Sequence, residues 1–151
     1  PYHTIPRDKR EVNTKLANLI ADEFLDDISP HYVYWDVNMI EELDEDNLIF
    51  TEEQASRFEK ITELMEKRNL DLSFDALSKL NQELNNKSHE VIYNMALIHE
   101  AKGKLYKANK LYEKAKYLVK DLDNLELINN GLRRTKINLE EKIKAKSQLP
   151  N

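Results

Sequence analysis

Four histidines, His3, His31, His89 and His99, are the residues best suited to acid–base work or metal ligation in this sequence. No two of them stand four residues apart, and no His-Glu-x-x-His is present, so no zinc motif forms locally. The two glycines are isolated, which removes a phosphate-cradling glycine loop, and no Gly-x-Ser-x-Gly elbow occurs. Absence of cysteine excludes disulfides, thiolate nucleophiles and Cys-based zinc or iron–sulfur sites in this chain. The acidic run Glu41, Glu42, Asp44, Glu45, Asp46 lacks the spacing and turn glycine of a calcium loop and reads as solvated chain. Carboxylates are so numerous that any chosen acid/base pair would be arbitrary. The expectation is therefore a non-enzymatic protein with no catalytic residues, no cofactor and no metal.

The elements that would position partner-binding residues are mostly helices. At 151 residues the chain suits one domain, or a small domain with an appendage, and scarce Gly and Pro favour helix. The net charge of −5 is modest, both signs are interspersed and no basic stripe carries aromatics, which argues against nucleic acid. No apolar run reaches the ~20 residues of a membrane span. The chain begins at Pro1, and an upstream signal or lipid-bearing cysteine is compatible with that start.

Pro6 sits well in a first helical turn, and Val12, Leu16, Leu19, Ile20 and Phe24 predict a helix from about residue 7 to about 26, stopped at Ser29-Pro30. Next, Val33, Trp35, Val37 and Met39 alternate with Tyr34, Asp36 and Asn38, and Ile40 falls on the second face. This predicts a strand over 32–41, covered on both sides. A single strand is not a stable sheet, so its partners should lie upstream or on another subunit. Thr51 and Gln54 fit a capping box. Ala55, Phe58, Ile61, Thr62 and Met65 then mark a helix to about Arg68. "NLDLS" reads as a break, and Phe74, Leu77, Leu80 and Leu84 mark another helix. Asn86-Lys87-Ser88 matches a glycosylation sequon but reads as a turn. Helices follow over about 89–102, 105–120 and 125–146. Gly131 inside the last predicts a kink or a close helix contact, and 147–151 reads as a frayed tail. Tyr106, Tyr112 and Tyr117, with Leu111 and Leu118, read as core rather than as a ligand box.

The segment from His89 to Leu122 resembles a tetratricopeptide repeat, whose period is about 34 residues. Ile92 and Met95 fall on its large apolar positions, Ala96 on the small one, and His99 where an aromatic is usual. Gly103 closes the turn, Ala108, Tyr112 and Ala115 give the small, aromatic, small pattern, and Lys120 replaces the usual Pro. Small residues suit a close helix crossing. Phe58, Ile61, Thr62 and Met65 form a degenerate copy 34 residues upstream. The resemblance implies a mainly α fold over 51–146, two helical hairpins and a capping helix, and the helix–strand unit over 1–46 precedes it.

By carry-over, the repeat's groove would show Glu90, Tyr93, Asn94, Leu97 and Glu100. Tyr93 and Leu97 offer apolar contact, and Asn94 can bond a peptide backbone. The alternative is that Leu97 packs on the preceding hairpin and the face binds nothing. The order helix, strand, repeats, long helix also resembles the C-terminal half of bacterial envelope lipoproteins that join an α/β domain like the curli-secretion lipoprotein to tetratricopeptide repeats. That resemblance implies that the unit over 1–46 ends a larger α/β domain. It also implies a periplasmic or outer-membrane-associated scaffold with a protein partner, tethered to the membrane only through an upstream lipid. The alternatives are a cytoplasmic location, and a structural subunit of a ring or other homo-oligomer that pairs its strand at 32–41 between copies.

Overall fold

A computed structural model of the chain describes residues 37–46 and 49–147. Among them there are five helices and no strand: α1 Glu52–Glu66, α2 Leu70–Glu83, α3 His89–Ala101, α4 Leu105–Leu118 and α5 Leu122–Ser147. The helix expected over 7–26, Trp35, His3 and His31 lie outside the described residues, as does 148–151.

Local chemistry sets the helix ends. The Thr51 hydroxyl accepts from the Gln54 N–H at 3.2 Å, and the Gln54 side chain accepts from the Thr51 N–H at 2.9 Å, closing the expected capping box of α1. The break expected at "NLDLS" is shorter than its residue types suggested, because α2 already begins at Leu70. Arg68 turns the chain at φ 59°, and the Ser73 hydroxyl donates back to the Asn69 carbonyl at 2.8 Å inside the new helix. The next turn is made by Asn85 and Asn86 at φ 55° and 59°, where asparagine tolerates the left-handed region. Asn81 Nδ2 donates to Asn86 Oδ1 at 2.9 Å, and Ser88 caps α3 by accepting from the Val91 N–H at 3.2 Å. Gly103, at φ 67°, closes the α3–α4 turn as expected.

The helices form two successive antiparallel hairpins, α1–α2 and α3–α4, with α2 against α3 and α5 against α4 and, more lightly, α3. One core lies among α1, α2 and α3, around Phe58, Leu77, Leu80, Val91 and Ile98. The other lies among α3, α4 and α5, around Ile92, Tyr93, Tyr112 and Ile128. Because α3 faces both, nine of its 13 residues are buried. Burial of each large apolar side chain is worth about 1.5–3 kcal/mol, so α3 is the helix on which both cores depend.

Ala96, Ala108 and Ala115 are fully buried in the second core, where small side chains let the helices approach. Gly131 serves the same purpose on α5: a Cβ there would sit 2.6 Å from the Tyr112 ring. Of the two readings of Gly131, close contact is the one realised. The tyrosine stripe is divided. Tyr112 is fully buried, whereas Tyr106 and Tyr117 are exposed. At about 100° per residue, positions 106 and 117 share a side and 112 lies about a third of a turn away.

Candidate functional site

The stripe 90, 93, 94, 97 follows the i, i+3, i+4, i+7 spacing of one helix face, and it is covered by the chain's own residues 38–44. Asn94, fully buried, makes two bonds to one residue. Its Oδ1 accepts from the Ile40 N–H at 3.1 Å, and its Nδ2 donates to the Ile40 carbonyl at 2.7 Å. A side-chain amide is the group suited to this, since it presents a donor and an acceptor side by side. From the adjacent position, the Tyr93 hydroxyl donates to the Asn38 carbonyl at 2.8 Å. Toward the helix N-terminus, Glu90 Oε1 accepts from the Asp44 N–H at 3.0 Å. The segment therefore runs opposite to α3 and is held chiefly through its backbone.

Apolar contacts seat the same segment. The Ile40 side chain enters the second core beside Tyr93 and Ala96, while Met39 and Leu43 pack on the first. Leu97 is half-buried between both. Val37 is exposed while Met39, on the same expected face, packs, so of that face's described residues only one docks, and Ile40 of the second face is the one most deeply buried. Residues 32–36 of that strand lie outside the described residues. Over 37–41 the chain is neither helix nor strand, and Asn94 takes both polar backbone groups of Ile40.

Beneath the groove a polar cluster fixes the start of α3. Glu90 Oε2 accepts from the Ser88 hydroxyl at 2.7 Å and lies 3.4 Å from His89 Nδ1. The other ring nitrogen of the buried His89 is 3.4 Å from Asp121 Oδ2 and 3.2 Å from Asn124 Nδ2. Asp121 also accepts from the Asn124 N–H at 2.7 Å, which ties this cluster to the beginning of α5. Sequence spacing alone does not reveal the pairing of His89 with Asp121.

Glu100 departs from the expected groove set. It turns to α5, where Arg134 donates from Nε to Oε1 at 2.8 Å and from Nη2 to Oε2 at 3.0 Å. Tyr112 adds a hydroxyl bond to Oε2 at 2.5 Å. A partner guanidinium 34 residues away is a stronger attraction for this carboxylate than the groove, and it makes a forked pair. Burial opposes the charge on Arg134, but the hydrogen bond and charge of Glu100 outweigh it and hold the guanidinium above its ordinary value. Burial, followed by the Glu100 carboxylate, pushes the Tyr112 hydroxyl up strongly. Burial also raises Tyr93 to about 12, with Arg134 opposing, so both phenols remain hydrogen-bond donors at neutral pH.

His99 occupies the expected aromatic position and packs against Phe74 with ring centroids 4.6 Å apart. Its Nδ1 is buried with no hydrogen-bond partner among the described residues. Among those residues, too, no three His, Asp or Glu side chains converge as metal ligands would, and no helix is long and apolar enough to cross a membrane. In comparisons with family models, curated proteins and solved structures, nothing matched this chain.

Proposed function

We propose that the chain is a non-enzymatic protein–protein interaction scaffold of tetratricopeptide type, whose α3 face receives an extended stretch of polypeptide. The observation that carries this reading is the two-point bond between Asn94 and the backbone of Ile40. Backbone recognition tolerates many sequences, and the pocket filled by Ile40 asks for an aliphatic side chain at that one position. Residues 38–44 then act as an occupant in cis, which a partner segment of similar pattern must displace. A tethered occupant competes at high effective concentration, so a free peptide gains little against it.

The test loosens the cis segment and leaves α3 intact. Ile40→Asp places a charge in the apolar seat, and this variant is titrated with a peptide of residues 37–46. Binding to Ile40→Asp, at least about tenfold weaker binding to the natural chain, and loss of binding on adding Asn94→Ala are expected. Equal binding by all three proteins, or none to Ile40→Asp, contradicts the reading.

A structural subunit is the second reading, and the same bonds favour it: a segment exchanged between copies would satisfy Asn94 equally well. A monomer by mass measurement in solution supports the docking scaffold, and a closed oligomer supports the subunit. The resemblance to envelope lipoproteins supports a bacterial periplasmic setting for either. Fractionation checks it, with envelope fractions expected and a cytosolic protein contradicting it.

A further inference from the structure

Away from the α3 groove, α5 outruns its neighbour. It is 26 residues long against 14 for α4, and its residues Leu139, Lys142, Ile143 and Lys146 lie beside the first turn of α4. A groove of about 460 Å³ lies there, with Leu105, Tyr106, Leu139 and Ile143 on its floor. Tyr106 is 64% exposed and Ile143 68%, although the end of a helical stack ordinarily presents a polar face. Four lysines line the groove, Lys104, Lys107, Lys142 and Lys146, and no carboxylate does. A fifth, Lys110, stands with Nζ 4.8 Å from the Tyr106 ring centroid. This concentration of positive charge sits on a chain whose net charge is −5, so it is a local feature.

We infer that this groove docks an acidic amphipathic helix of a partner protein. Leu139 and Ile143 are four residues apart on α5 and form a ridge beside Leu105, the relief into which a third helix lays its own i, i+3, i+4 side chains. Lys142 and Lys146 repeat the same spacing, so carboxylates one turn apart on the incoming helix meet both. A phosphate backbone would answer the lysines and leave the aliphatic floor uncovered. A flat lipid surface could not reach into the recess between the two helices. This surface is independent of Asn94 and stands whether or not the α3 groove takes a peptide.

The probe is a synthetic amphipathic helix of about 16 residues with leucines on one face and glutamates flanking them. Its control replaces every glutamate by lysine. Titrated against the intact chain, the acidic peptide should bind at least about tenfold more tightly than the control, and the difference should shrink as salt is raised. Ile143→Asp should weaken the acidic peptide about tenfold or more, and Lys142→Glu with Lys146→Glu should abolish the preference. Lys60→Glu with Lys79→Glu, at the α1–α2 end, should leave binding unchanged. These positions are exposed, and circular dichroism verifies that each variant keeps its helices. Failure of the acidic peptide to bind, equal affinity for the control, indifference to Ile143→Asp, or association with phosphatidylserine vesicles in preference to the peptide would overturn the inference.

Discussion

The forked pair between Glu100 and Arg134 is the most consequential polar contact at the scale of single residues. Both side chains are largely withdrawn from water, at 14% and 4% exposure, and Tyr112 completes the set. A buried pair is not by itself strongly stabilising, but removing one member strands the other charge. Arg134→Met should therefore cost about 3–5 kcal/mol by denaturant unfolding, and Glu100→Gln several kcal/mol. The double variant should cost clearly less than the sum of the two, because each single change includes the penalty of the abandoned partner. Strict additivity would mean that the groups do not interact in solution. The sequence suggested neither side of this pair. Glu100 lies on a continuation of the groove stripe, and only the fold brings Arg134 to it.

Between elements, contact is set by small residues and by one histidine. Gly131→Ala would raise the intrinsic helix propensity of α5 by about 1 kcal/mol. It would also drive a methyl group into a buried ring whose hydroxyl is tied to Glu100. The ring cannot easily yield, so a net destabilisation of about 1–3 kcal/mol is expected from unfolding midpoints, and a gain in stability would contradict the close approach. His99 couples α3 to α2 through Phe74. Burial, then the charges of Lys104, Lys107 and Lys102, hold its imidazole below the ordinary value of 6.5. With the folded value depressed, the unfolded chain takes up the proton first. The stability this group contributes is thus present above 6.5 and is lost as pH falls through 6.5 toward the lower folded value. Thermal melts from about pH 7.5 to about pH 5 should show a smaller loss for His99→Phe than for the natural chain, and parallel curves would contradict it. The helices themselves were legible because their signals are local: apolar period, the Thr51 box and the glycine at the α3–α4 turn. "NLDLS" misled because Asp71 and Ser73 look like breakers, yet Ser73 satisfies its hydroxyl within α2. The alternation around Val37 and Met39 suggested a strand. What decides the position of Ile40 is an amide 54 residues away, which no local pattern encodes.

For the whole molecule, the described residues show two hairpins and a long helix built around α3, one of whose faces holds the chain's own segment. Four expected groove residues meet or flank that segment: Asn94, Tyr93 and Glu90 by hydrogen bonds and Leu97 by packing. Such a groove depends on side chains aimed at backbone polar groups, so its occupancy is visible at individual amides. Amide hydrogen exchange on the intact chain, read at Ile40, tests the account most directly. The Ile40 N–H should exchange far more slowly than those of the exposed Glu41 and Glu42, and Asn94→Ala should speed it sharply while α1 and α2 stay protected. Exchange at Ile40 as fast as in a free peptide, or unchanged by Asn94→Ala, would contradict the claim that α3 holds this segment's backbone through Asn94.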